Sequence, residues 1–134
     1  MEGKLIEKIR LENGLTLEMF DYSRHVAGDR WLVTFEARVE VKVKLEYFAD
    51  DSKTSISLDD VRALLGEKAT YRYTKERNFI AETEIEAVLK DLKERFLETN
   101  LGYVSSPEFP RKFVHRKYKE AYSQMLLLKR RQIA

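Results

Sequence analysis

The sequence predicts an α+β domain. It reads as a mainly antiparallel, strongly twisted sheet, a three-stranded meander plus a fourth strand, covered on one face by two long helices, with one short helix between strands 3 and 4. Three observations predict it. Residues 31–47, WLVTFEARVEVKVKLEY, place an apolar side chain at every odd position and a charged or polar one at almost every even position, the period of a strand with a dry and a wet face. Turn signals at Glu12-Asn13-Gly14 and Gly28-Asp29 divide the preceding residues into strand lengths. Two later stretches instead carry a helical stripe: Ala81, Ile85, Val88, Leu89, Leu92 and Phe96, then Val114, Tyr118, Ala121, Tyr122, Met125 and Leu128.

The first strand runs from Lys4 to Leu11. An Asn-Gly pair suggests a two-residue turn, but that loop would set Ile9 against Glu18 and Leu11 against Thr16. A three-residue loop, Glu12 to Gly14, sets Leu11 against Leu15 and Ile9 against Leu17, with Gly14 at the left-handed position of a bulge. The second strand keeps odd apolar positions through Met19 and then changes phase to Phe20, Tyr22 and Val26, which predicts a bulge near Met19 and Phe20. A two-residue Gly28-Asp29 loop of type II′ then pairs Val26 with Trp31 and Tyr22 with Phe35.

The third strand, residues 31–47, would span roughly 56 Å if straight, so strong twist or a bend is expected. Its wet face reads Thr34, Glu36, Arg38, Glu40, Lys42, Lys44, Glu46, mixed charges that suit solvent rather than a second sheet. Residues 50–54 form a polar connection. Ser57 then caps a short helix, Leu58 to Leu65, with Asp59 and Asp60 in its first turn and Gly66 as its stop. Residues 69–75 form the fourth strand. A helix over residues 79–97 follows, its stripe ending near Asn100 to Gly102. Residues 103–110 read as a loop broken by Pro107 and Pro110, and a last helix covers about residues 112–131.

No repeat or linker divides residues 1–134, which are read as a single domain. A chain of 134 residues buries roughly two-thirds of its unfolded surface, enough for a real core. The chain has no cysteine, which removes disulfides, thiolate nucleophiles and Cys-ligated zinc and suits a reducing compartment. The N-terminal residues are charged throughout and the longest aliphatic or Met run is residues 125–128, so a cytoplasmic protein without a membrane span is expected.

Signatures of phosphate-binding loops, dinucleotide sites, nucleophile elbows and zinc proteases do not occur. His25 and His115 have no neighbour at metal-ligand spacing, so neither a metal site nor a cofactor is assigned and no catalytic residue is named. The densest polar cluster is Asp21, Arg24, His25, Asp29 and Arg30. If it converged, His25 would act as a base oriented by Asp29, with the arginines holding an anion; a charged, solvent-exposed hairpin is the plainer account. Residues 71–75, YRYTK, interleave aromatic and basic side chains as single-stranded nucleic-acid sites do, but alternation puts Tyr71 and Tyr73 on one face and Arg72 on the other, which favours a core tyrosine pair.

Charge is unevenly distributed. Residues 1–110 carry 17 Lys/Arg against 22 Asp/Glu, a net of −5, and residues 111–134 carry 8 against 1, a net of +7. The candidate binding residues are therefore Arg111, Lys112, Arg116, Lys117, Lys119, Lys129, Arg130 and Arg131, a footprint for nucleic acid or an acidic protein. Lys129 to Arg131 also suit the negative end of a helix dipole, the segment as a whole suits pairing with the acidic remainder of the same chain, and a membrane surface is a further partner it would fit. The function expected from this pattern is a non-catalytic interaction or ligand-binding module that self-associates as a homo-oligomer or binds a protein partner, because an extended sheet has edges to cover. Nucleic-acid binding through the basic helix is the alternative, and an enzyme centred on the hairpin cluster the second alternative.

Overall fold

A computed structural model describes residues 3–48 and 58–133. In chain order it contains β1 (Lys4–Arg10), β2 (Thr16–Asp21), β3 (Arg24–Ala27), β4 (Arg30–Lys42), a 3₁₀ turn (Leu45–Phe48), α1 (Leu58–Leu65), β5 (Lys68–Ala81), a second 3₁₀ turn (Glu82–Glu84), α2 (Ile85–Ser105) and α3 (Phe109–Ile133). The fold is α+β, with one antiparallel sheet of five strands and three helices. The expected connection at residues 50–54 and the Ser57 cap lie outside the described residues.

The chain divides into two compact units, residues 1–39 with 71–106 and residues 40–70 with 107–134. In the first, Leu11, Leu17, Met19, Val33, Phe35, Ala37 and Val39 are buried with Leu92, Phe96 and Val104 of α2. Phe96 lies 6.0 Å from the Phe35 ring and 4.8 Å from Tyr73, so α2 closes the dry face around an aromatic cluster. Tyr71 meets Tyr103 of α2 at 6.2 Å while Arg72 is exposed, the split that strand alternation requires. In the second unit the buried residues are Val41, Val43, Phe48, Val61, Ala69, Phe109, Phe113 and Val114.

The first hairpin forms as its apolar faces demand. Ile9 pairs with Leu17, the Leu11 N–H donates to the Leu15 carbonyl at 2.8 Å, and Gly14 has φ of 88°. The expected bulge at Met19 and Phe20 is corrected: β2 pairs with β4 without interruption, and the extra residue is Ile6 on β1, between Leu5 (opposite Phe20) and Glu7 (opposite Met19).

The second hairpin has the expected Gly28-Asp29 loop, with Ala27 opposite Arg30. Gly28 has φ of 56° and Asp29 is not in the left-handed region, as a type II′ turn requires. The pairing inside it differs from the sequence expectation by one residue. A bulge at Val26 sets His25 opposite Trp31 and Asp21 opposite Phe35. The cause is on the wet face: Phe20 and Tyr22 are aromatic without being core, because both cover the Arg38 guanidinium, which lies 4.3 Å and 5.7 Å from their ring centroids. Arg38 also donates to the Tyr22 hydroxyl and to Glu36 Oε2 at 2.6 Å, and Thr74 of β5 donates to Glu36 at 3.4 Å. Gly3 leaves room for this arrangement, since a Cβ at that position would displace the Tyr22 ring. The mixed charges of this face are thus partly a packed cluster rather than a fully solvated surface.

β4 ends at Lys42, earlier than residue 47. Val43 still donates to the Glu67 carbonyl at 2.9 Å, but the chain then turns through residues 45–48, exposing Leu45 and burying Phe48. A 3₁₀ turn resets the alternation that the sequence carries to Tyr47. α1 occupies the expected residues, and the Gly66 N–H caps it by donating to the Arg62 carbonyl at 2.7 Å.

β5 is longer than expected and α2 starts later. Strand geometry continues through Asn78 and Phe79, where Phe79 adopts φ of 61° and its N–H donates to Asn78 Oδ1 at 2.9 Å. The Glu82 N–H donates to the Asp29 carbonyl at 2.9 Å, which ties the end of β5 to the second hairpin. At its other end α2 passes through Gly102 to Ser105. The expected loop over 103–110 shrinks to three residues, because Pro110 falls in the first turn of α3, where its missing N–H costs nothing.

Candidate interaction surface on the C-terminal helix

α3 is held to its unit by its N-terminal half. Phe109, Phe113 and Val114 are buried, and the 3₁₀ turn packs on the next helical turn through Phe48, which stacks on His115 at 4.5 Å and meets Tyr118 edge-on at 5.6 Å. His115 Nε2–H donates to the Tyr47 carbonyl, so that turn holds one ring face and one ring nitrogen. Burial, then Asp60 and Tyr122, push the Tyr118 hydroxyl above its ordinary value of 10.0.

Arg111, Lys112, His115, Arg116 and Lys119 line a shallow cleft of about 320 Å³. Four of the eight basic residues singled out from sequence meet there. Arg111 donates to Glu108 at 2.6 Å and holds that carboxyl below its ordinary value of 4.5, with a smaller contribution from Lys112. Arg116 lies 3.8 Å from Glu120 and 5.3 Å from the Phe113 ring. Lys112 and Lys119 are exposed and form no salt bridge with a described residue. Lys117 points elsewhere, to Glu120 at 3.5 Å and the Phe113 ring at 5.7 Å. Lys129, Arg130 and Arg131 are exposed near the end of the helix and line no part of the cleft. Sequence reasoning missed His115, which it weighed only as a metal ligand; its place four residues from both Arg111 and Lys119 was the available signal.

The C-terminal half of α3 has no fully buried residue among those described, though Ala121 and Met125 are half-buried. The stripe that buries Val114 continues to Tyr122 (43% exposed) and Leu128 (59%), with Leu126 (40%) and Leu127 (56%) beside it.

Comparison with known proteins finds no matching family model, no matching curated protein and no matching solved structure.

The hairpin residues do not join into one bonded cluster. Asp21 accepts from the Ser23 N–H at 2.7 Å, His25 Nε2–H donates to the Gly28 carbonyl at 2.6 Å, and Asp29 pairs with Arg30 at 3.5 Å. Arg30 also lies 5.3 Å from the Phe79 ring, while Arg24 is exposed. His25 packs edge-on against Trp31 at 5.5 Å, with the hairpin turn rather than Asp29 as its bonded partner. Among the described residues no three His, Asp or Glu side chains converge as a metal site requires, and no helix is long and apolar enough to cross a membrane.

Proposed function

We propose that the protein is a non-catalytic interaction module that self-associates, through the C-terminal half of α3. The observation that carries this reading is the exposed apolar run Tyr122, Leu126, Leu127 and Leu128. A soluble chain rarely leaves such a run uncovered, and contiguous apolar patches of this kind mark contact sites. The sheet edges are weaker candidates. β4 is interior, with β2 and β3 on one side and β5 on the other. β1 carries Lys4, Glu7, Lys8 and Arg10 and a bulge at Ile6, and β5 carries charges and the left-handed Phe79, devices that blunt an edge.

A second copy is the favoured occupant because the exposed apolar side chains around Met125 can cover one another across a two-fold axis. An antiparallel two-fold crossing at Met125 sets Leu128 against Tyr122 of the second copy. It also carries the two Lys129-Arg130-Arg131 clusters to opposite ends, whereas a parallel pairing would bring them together. A cytoplasmic location belongs to the same proposal and rests on the cysteine-free composition. The test is sedimentation velocity with light scattering at micromolar concentrations. Wild type is expected as a dimer, and Leu126→Glu with Leu128→Glu as a monomer of unchanged helix content. A monomeric wild type, or a variant that remains dimeric, overturns the proposal.

A further inference from the structure

We propose that the cationic face of α3 binds the phosphate backbone of nucleic acid, a property that does not depend on the oligomeric state. The cleft side chains lie at i, i+1, i+4, i+5 and i+8, so Arg111, His115 and Lys119 form a row at about 6 Å intervals along the helix, with Lys112 and Arg116 beside it. No carboxylate lines the cleft. The nearby acids, Glu108 and Glu120, are engaged by Arg111 and by Arg116 and Lys117. Lys112 and Lys119 therefore project charge that no described carboxylate neutralises by a salt bridge. His115, stacked on Phe48 and bonded to Tyr47, gives this row a rigid centre.

The length of the row favours an extended ligand. From Arg111 to Lys119 it covers about 12 Å of helix, and beyond Lys119 the same face turns to Ser123, Leu126 and Leu127. That is longer than one small anion and suits two or three successive phosphates of one strand. A membrane surface is a poorer match for this row, since it requires apolar side chains level with the charges, and the exposed leucines of the helix, residues 126–128, lie past the end of the row. Contacts of this kind are electrostatic and indifferent to base sequence.

The test is fluorescence anisotropy of a labelled single-stranded 20-mer and the matching duplex at about 50 and 200 mM salt. About four phosphate contacts, from Arg111, Lys112, Arg116 and Lys119, predict roughly a 50-fold loss of affinity across that interval for the single strand. Lys112→Glu with Lys119→Glu should weaken binding at least about tenfold and flatten the salt slope by one to two. The charge-matched control Lys75→Glu with Lys90→Glu, on exposed positions of the other unit, should bind as wild type. Circular dichroism verifies folding in each variant. The proposal is overturned if neither nucleic acid binds at the lower salt, or if the control loses as much affinity as the cleft variant. It is equally overturned if tripolyphosphate, or poly-glutamate at matched charge, displaces the strand with an affinity equal to its own.

Discussion

Arg38 shows how one side chain can defeat a pattern that is otherwise sound. Alternation assigns Phe20 and Tyr22 to a buried face by their apolarity, yet an aromatic ring is also the best cover for a guanidinium, and both rings lie against Arg38 on the wet face. Glu36, bonded to Arg38 and Thr74, completes a cluster that joins β2, β4 and β5. Arg38→Ala is expected to destabilise the protein by about 1–3 kcal/mol, because it uncovers two rings and leaves a half-buried carboxylate without its cation. Arg38→Lys should recover only part of that loss, since an ammonium cannot stack as a planar fork does. Urea denaturation of the three proteins measures both; a lysine variant as stable as wild type would show that charge alone matters. Gly14, by contrast, was legible in the sequence, because only a three-residue loop brings Leu11 and Ile9 opposite apolar partners.

Element boundaries were readable where local chemistry sets them and unreadable where a distant group does. α1 stops at Gly66 as its sequence dictates. α2 runs past Gly102 because the Asn13 amide, in the first hairpin turn, donates to the Val104 carbonyl at 2.8 Å and the Ser106 carbonyl at 2.9 Å. Those are orphan carbonyls of a helix end, satisfied across more than ninety residues of chain, which no local signal in either segment announces. Asn13→Ala should cost about 1–3 kcal/mol and speed amide exchange in the last turn of α2. Unchanged exchange there would show that water replaces the cap. The start of α3 carries a pH-dependent contact. The Arg111 hydrogen bond lowers the Glu108 carboxyl, so its folded pKa lies below the unfolded 4.5. The contribution is therefore fully present above that value and is lost as pH falls from about 4.5 through the lower folded pKa. Glu108 is exposed, so the effect is small and screened by salt. The stability difference between wild type and Glu108→Gln, compared at about pH 6 and pH 3, should shrink at the lower pH. A difference constant across that range would mean the carboxylate charge is not what stabilises.

At the scale of the whole molecule, charge asymmetry was visible in the composition, but the fate of the apolar stripe on α3 was not. Periodicity marks Val114, Tyr118, Met125 and Leu128 alike as inward-facing, and cannot say whether the rest of the chain reaches far enough along the helix to cover them. It covers Val114 completely and leaves Leu128 more than half exposed. If a second copy supplies the missing cover, folding and association are one equilibrium, and thermal stability must rise with protein concentration. For a chain of this size, unfolding as a dimer, the midpoint should rise by about 3 °C per tenfold increase in concentration. Leu126→Glu with Leu128→Glu removes the second-copy contact at positions that bury little within the monomer, so its midpoint should be lower than that of wild type and independent of concentration. Scanning calorimetry of both proteins at two widely separated concentrations decides the matter. A wild-type midpoint that does not move would mean that the exposed leucines are not covered by self-association, whatever oligomer forms elsewhere on the surface.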